Sequence, residues 1–251
     1  MAEPTNTPAP PEGEATQAAP VPAPTTQTNG GSGDRDLSPI ALRAPSKYDG
    51  TSKTAPTTST TSERWVPPSN KWLWRTWAVT HSSLSMWRSA QNVRITYSPR
   101  DSNSPLSAGD SPASTVNDNL VEYEKANGSG GVKTVSGVEK PDPNVYGAWN
   151  WRGKGLLMIA SSHWELLGWG ERPCADAEDG VERWVVTWFA PTLFTEEGLD
   201  IYCDRREGLS EKTAADIMEA LKKLDKAPKL VEMTEKKMRE VAINLPWKER
   251  K

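Results

Sequence analysis

The sequence predicts an all-β protein: an antiparallel up-and-down barrel of about eight strands, with C-terminal helices and a disordered N-terminal tail. Three observations carry this expectation. All twelve tryptophans lie after residue 63. From that point, short stretches alternate aromatic or β-branched residues with polar ones at period two, the spacing of a strand with one buried face. The stretches follow one another through short turns, with no helical period until Ser210, which argues against a parallel α/β fold. Short connections favour a meander, and eight meandering strands lose their open edges by closing on themselves. A sandwich is the alternative architecture.

Residues 1–63 are read as the tail. They hold one aromatic residue, Tyr48, in a Pro/Thr/Ala/Ser/Gly background that buries too little apolar area to offset chain entropy. Residues 64–226 are assigned to the barrel with a terminal helix, and 227–251 to a second short helix and a basic end.

The first strand is placed in NKWLWRTWAVTHSS, with Trp72, Trp74 and Thr76 opposite Leu73, Arg75, Trp77 and Val79. SLSMWRSAQ reads as a short helical turn or lid. NVRITYSP follows as a strand, then a polar loop, SPRDSNSPLSAGDSPAST. NLVEYEKA and VKTVSGVEK form a hairpin across NGSGG. The stretch from Tyr146 to Gly170 is read as three strands, VYGAWNWRG, GLLMIASS and HWELLGWGE, joined by RGKG and SSH. An acidic loop leads to VERWVVTWFAP, and TEEG leads to the last strand, LDIYCDRR. In SEKTAADIMEALKKL the period changes: Ala214, Ile217, Met218, Leu221 and Leu224 recur at helical spacing behind Ser210, a natural N-cap. A second helix is expected from Thr234, with Met233 and Met238 at staple spacing.

Composition restricts the function. With 30 basic and 33 acidic residues, net charge −3, the chain has no basic field for nucleic acid. Two cysteines, Cys174 and Cys203, fit neither a zinc pattern nor a disulfide framework. There is no apolar leader and no run near the roughly 18 residues of a membrane span, so an intracellular, cytoplasmic protein is expected. RGKG precedes a strand and not a helix, so it reads as a turn and not a phosphate loop. The serines, His163 and Glu165 of SSHWE are sequence neighbours that alternate across a strand, which is no catalytic triad.

The tryptophans are the main candidates for a site. Inward indoles can line a pocket for a hydrophobic molecule, or fill the barrel. Trp149 and Trp151 share one strand face, Trp184 and Trp188 share another, and Trp169 is placed with Leu167.

These features resemble the calycins, the lipocalin and fatty-acid-binding-protein superfamily. A tryptophan-bearing strand opens the fold, a meander follows, and the arginines of IYCDRR precede a C-terminal helix. The chain lacks the lipocalin glycine two residues before the first-strand tryptophan; Asn70 precedes Trp72 there. The resemblance implies that Arg205 or Arg206 packs on Trp74 or Trp77 and closes one end. It also implies a ligand site in the lumen, with Tyr202 and Arg206 as carboxylate anchors beside Trp149, Trp151, Trp169, Trp184 and Trp188. Haem through His163 or His81 is a minor alternative within the same superfamily; otherwise no cofactor and no metal is expected. The function expected is non-catalytic binding of a small hydrophobic molecule. A side-chain-filled interaction module, or a barrel enzyme of isomerase or cyclase type, are the alternatives. Protein partners of the tail are not specified.

Overall fold

The computed structural model describes residues 39–49, 65–100, 115–193 and 195–250. Eight strands run in order: β1 (Thr76–Ser82), β2 (Ala90–Pro99), β3 (Asn117–Lys125), β4 (Lys133–Pro141), β5 (Ala148–Gly153), β6 (Ser161–Pro173), β7 (Val181–Phe189) and β8 (Gly198–Cys203). Each pairs antiparallel with the next, and β1 pairs with both β8 and β2, so the sheet closes. This is the calycin-like up-and-down topology.

Closure is incomplete along β1. Thr76–Ala78 pair with Arg94–Thr96, but at His81 and Ser82 the partner is β9 (Arg239–Glu240). The chain after β9 then bridges Gln91 through Ala242. The C-terminal segment thus fills the gap where β1 and β2 diverge. Asn92, at φ +52°, makes the bulge that permits this: its amide donates to Glu124 and to the Asn244 carbonyl.

The helices are α1 (Ser46–Asp49), α2 (Asn70–Leu73), α3 (Glu211–Lys222) and α4 (Pro228–Lys236). Ser210 caps α3 as expected, accepting from the Thr213 amide while its own N–H donates to the buried Glu182. SLSMWRSAQ contains the expected short turn, a 3-10 segment at Ser85–Ser89.

The barrel wall separates two cores. Inside lie Trp77, Val79, Val93, Ile95, Tyr97, Trp149, Trp164, Leu166, Val185 and Tyr202. Outside, α3, α4 and the 39–49 segment cover Leu167, Trp184, Val186, Trp188, Leu199 and Ile201. Several strands are therefore buried on both faces, and β8 is buried at every residue.

Four local expectations change. Trp72 and Trp74 are not in the first strand: Ser69 caps α2 there, and β1 starts at Thr76. GLLMIASS is not a strand. Gly155–Leu157 form a 3-10 turn inside a longer β5–β6 connection, with Leu156, Met158 and Ile159 exposed, so an apolar run alone did not decide strand pairing. The second helix starts at Pro228, where a proline at the first position needs no N–H partner, and Met233 lies inside it. Within the predicted tail, residues 39–49 pack on the barrel: the Arg43 N–H donates to Leu167 O at 2.8 Å and Ala44 is buried. The remainder of 1–63 lies outside the described residues, as do residues 101–114 of the predicted polar loop.

Candidate functional site in the barrel lumen

One end of the barrel is plugged. Trp72 packs against Trp77 and Trp169, with ring centroids at 5.2 and 5.0 Å. Arg75 covers this group, its guanidinium 5.3 Å from the Trp72 ring and 5.5 Å from the Trp77 ring. It is fixed by Asp204 at 3.0 Å, which also holds Arg183 at 3.0 Å. The Trp72 indole donates to Glu171 and the Trp169 indole to Val66 O.

Toward the other end lies a cavity of about 270 Å³. Strand alternation supplies its walls: Ile95 and Tyr97 from β2; Asn119, Val121 and Tyr123 from β3; Val135 and Glu139 from β4; Trp151 from β5; Trp164 from β6; Phe189 from β7; and Asp200 and Tyr202 from β8. Leu84, Met86 and Trp87 of the β1–β2 connection complete it. Trp151 reaches the lumen because β4 has no side chain beneath it. A Cβ on Gly137 would stand 2.1 Å from the Trp151 Nε1.

The floor is polar and unsatisfied. Glu139 is 2% exposed and Tyr202 0%. Glu139 Oε2, Tyr202 OH and the indole N–H groups of Trp87, Trp149 and Trp164 have no hydrogen-bond partner among the described residues. Burial pushes the Glu139 carboxyl up from 4.5 to about 8; the neighbouring Trp164 indole opposes this without satisfying either group. Burial likewise pushes Asp200 up from 3.8 to about 7, against the Ser82 hydroxyl that donates to it. Burial, with Asp200 and Glu139 nearby, raises the Tyr202 phenol well above its ordinary value, against the opposing influence of the neighbouring Thr187 and Tyr97 hydroxyls. A buried polar atom without a partner costs roughly 1–3 kcal/mol, and of this group Glu139, Tyr202, Trp87 and Trp164 line the cavity.

The structure disperses the residues named from sequence. Trp151 and Tyr202 line the cavity. Trp149 is inside, stacked under Trp164 at 4.5 Å. Trp169 belongs to the plugged end, and a bulge between Leu166 and Gly168 puts Leu167 on the outer face instead. Trp184 and Trp188 point outward beneath the helices, and Trp188 donates to Glu197 at 2.9 Å. Arg206 lies over Trp247, 5.4 Å from its ring, away from the cavity. Arg205 reaches Cys174 and Glu182, so Arg75 takes the position over the tryptophans that the resemblance gave to Arg205. Trp74 donates to Asn117, and Trp77 to Leu73 O. His163 faces Asn150 and His81 lies beside Glu240; neither is among the cavity-lining residues.

Sequence reasoning missed Glu139 and Asp200. Asp200 stands between Leu199 and Ile201, and simple alternation points the apolar pair inward. Helices covering the outer wall reverse that assignment, leaving the carboxyl in the lumen. A lone carboxylate flanked by strongly apolar strand residues was the available signal.

No family model matches the chain. A relative from Botryotinia fuckeliana (strain B05.10), "Botcinic acid biosynthesis cluster B protein 12", is 29% identical over 136 residues, 54% of this chain. The match spans just over half of that relative, 56%. Among solved structures, lobster apocrustacyanin A1 is 9% identical with a TM-score of 0.37, and apocrustacyanin C1 is 10% identical with 0.40. Each comparison covers 71% of this chain and 88% of the other. Among the described residues no helix is long and apolar enough to cross a membrane, and no group of three His, Cys, Asp or Glu side chains is placed to hold a metal. The strand pairing itself establishes the architecture: a closed, eight-stranded, calycin-like antiparallel barrel with C-terminal helices.

Proposed function

We propose that the protein binds a small, largely apolar and electrically neutral molecule in the lumen, with an oxygen of that molecule accepting hydrogen bonds from Glu139 and Tyr202. The observation that carries this reading is the cavity whose apolar walls converge on the unpartnered Glu139 Oε2 and Tyr202 OH. Desolvation against Trp151, Trp164, Ile95, Val121 and Phe189 supplies the driving force, and the polar floor sets orientation.

Charge selects the ligand class. Among the described residues that line the cavity, none is lysine or arginine, while two are carboxyls. An anion would be buried without a cation to pair with, which is costly. A protonated carboxyl, by contrast, donates to a carbonyl or hydroxyl oxygen. The ligand class is therefore a ketone, ester or alcohol in preference to a fatty-acid anion. A relative named for a biosynthesis cluster supports a small organic molecule as the occupant. The reading of a barrel filled solid by side chains is disfavoured by the cavity itself.

The test is titration of intrinsic tryptophan fluorescence with 2-decalone and with decanoate. Trp151 and Trp164 report occupancy directly. Saturable change with the ketone supports the proposal; no change with any neutral oxygen-bearing ligand overturns it.

A further inference from the structure

We infer that the lumen is also a proton-transfer site that converts a β,γ-unsaturated ketone into its conjugated isomer, with Asp200 as the base and Glu139 and Tyr202 as donors to the carbonyl oxygen. The inference rests on the binding reading above. Its basis is the convergence of three functional groups on one cavity: Asp200 and Tyr202 two residues apart on the inward face of β8, and Glu139 from β4, across the lumen from β8 in the strand order. Two of them are fully buried groups with unpartnered atoms. Both carboxyls also lie within electrostatic range of both Tyr97 and Tyr202.

The step balances without an added reagent. The Asp200 carboxylate takes a proton from the carbon between the carbonyl and the alkene. That C–H electron pair becomes a new C=C bond to the carbonyl carbon, and the carbonyl π pair moves onto oxygen. Glu139 and Tyr202 stabilise this oxyanion by hydrogen bonds in an apolar site, where such donors are worth most. The oxygen pair then reforms the carbonyl, the enolate C=C pair shifts to join the α and β carbons, and the former alkene pair takes the proton back from Asp200 at its far carbon. Substrate and product are isomers.

Acid and base must coexist. Asp200 faces Ser82, the Trp87 indole, Tyr202, Tyr97 and the Arg88 guanidinium, while Glu139 faces Tyr97, Tyr202 and the Trp164 indole. Burial places Asp200 at about 7 and Glu139 at about 8. Both carboxyls are raised by burial and Glu139 further than Asp200, so as pH rises Asp200 ionises first, while Glu139 still holds its proton.

The experiment incubates the full chain in D2O with 2-decalone, reads deuterium at the α-carbons by mass spectrometry, and reads binding separately by tryptophan fluorescence. The expected result is exchange roughly 10²-fold or more above buffer, rising toward pH 7 and falling above pH 8. Asp200→Asn lowers exchange to the buffer rate per molecule of ketone bound, with binding read by fluorescence in the same sample. Tyr202→Phe lowers it by roughly 10²-fold. Glu139→Gln removes the alkaline fall. Binding without exchange above buffer overturns this inference and leaves the binding function intact. Absence of binding overturns both.

Discussion

The indole of Trp164 lies flat on that of Trp149, centroids 4.5 Å apart and planes 18° apart, with neither N–H hydrogen-bonded among the described residues. Tyr97 also stacks on Trp164, at 5.8 Å between ring centroids. This aromatic column forms one side of the cavity without closing it. Trp164→Ala should therefore destabilise the barrel by about 3–5 kcal/mol, as for a fully buried aromatic, and abolish ligand binding. Urea denaturation measures the first and fluorescence titration the second; an unchanged midpoint would mean the column carries no weight.

Glu139 makes stability depend on pH. Its folded carboxyl titrates at about 8, above the 4.5 of an exposed glutamic acid. The folded state holds the proton more tightly, so this stabilisation is complete below about pH 4.5 and is lost as pH rises through about 8. Asp200, raised from 3.8 to about 7, acts with the same sign. The loss is on the order of a few kcal/mol. In Glu139→Gln, thermal midpoints measured from about pH 5 to about pH 9 should fall less than in the wild type. An identical fall in both proteins would place the titrating group elsewhere.

Gly137 makes room for Trp151. A Cβ there would also stand 2.7 Å from the Arg152 carbonyl oxygen, so backbone as well as side chain resists it. Gly137→Val is expected to cost about 1–3 kcal/mol through overpacking and to move Trp151 within the lumen. The readouts are a shifted tryptophan emission maximum in the unliganded protein and weakened ketone binding. Retained affinity with unshifted emission would show that Trp151 is not part of the wall.

The segment before the barrel is held by charge. Arg43 pairs with the fully buried Glu165 at 2.8 Å, donates to Leu166 O at 2.8 Å, and lies 4.7 Å from the Trp65 ring. Ser46 adds hydrogen bonds from its backbone N–H and its hydroxyl to the same carboxylate. Although burial alone would raise it, His163 together with these partners holds Glu165 below the usual carboxylate range. Arg43→Ala should cost roughly 3 kcal/mol, since it leaves a buried charge short of its cation. It should also expose residues 39–49 to limited proteolysis. Cleavage patterns matching the wild type would contradict this.

At the plugged end, Arg75→Ala and Arg205→Ala distinguish structure from resemblance. Arg75 covers Trp72 and Trp77 and pairs with Asp204, so its loss should cost about 2 kcal/mol or more. Fluorescence of the Trp72–Trp77–Trp169 group should shift with Arg75→Ala and not with Arg205→Ala, whose guanidinium lies by Glu182 and Cys174.

The barrel was legible because period-two alternation and short turns are local properties. The face assignments were not. Trp184 and Trp188 on β7 carry the larger apolar area, and in a sheet with one wet face they would point inward. Here α3, α4 and residues 39–49 give the outer face a core of its own, and the smaller Val185 and Thr187 point inward instead. The bulge between Leu166 and Gly168 shifts register midway along β6, which no alternation count anticipates. GLLMIASS failed for the opposite reason: its apolar residues sit exposed in the β5–β6 connection. The site's carboxyls were hidden by the same two-sided burial that misplaced the tryptophans.

The central claim is that the lumen takes a neutral, oxygen-bearing apolar molecule. The most direct measurement is paired fluorescence titration of the wild type with 2-decalone and decanoate at about pH 7.5, where decanoate is ionised, repeated on Trp164→Phe. The account predicts a saturable one-to-one response to the ketone, altered in Trp164→Phe, and affinity for decanoate at least about tenfold weaker, given the uncompensated burial of a carboxylate. Equal or tighter binding of decanoate, or no response to the ketone, would contradict it.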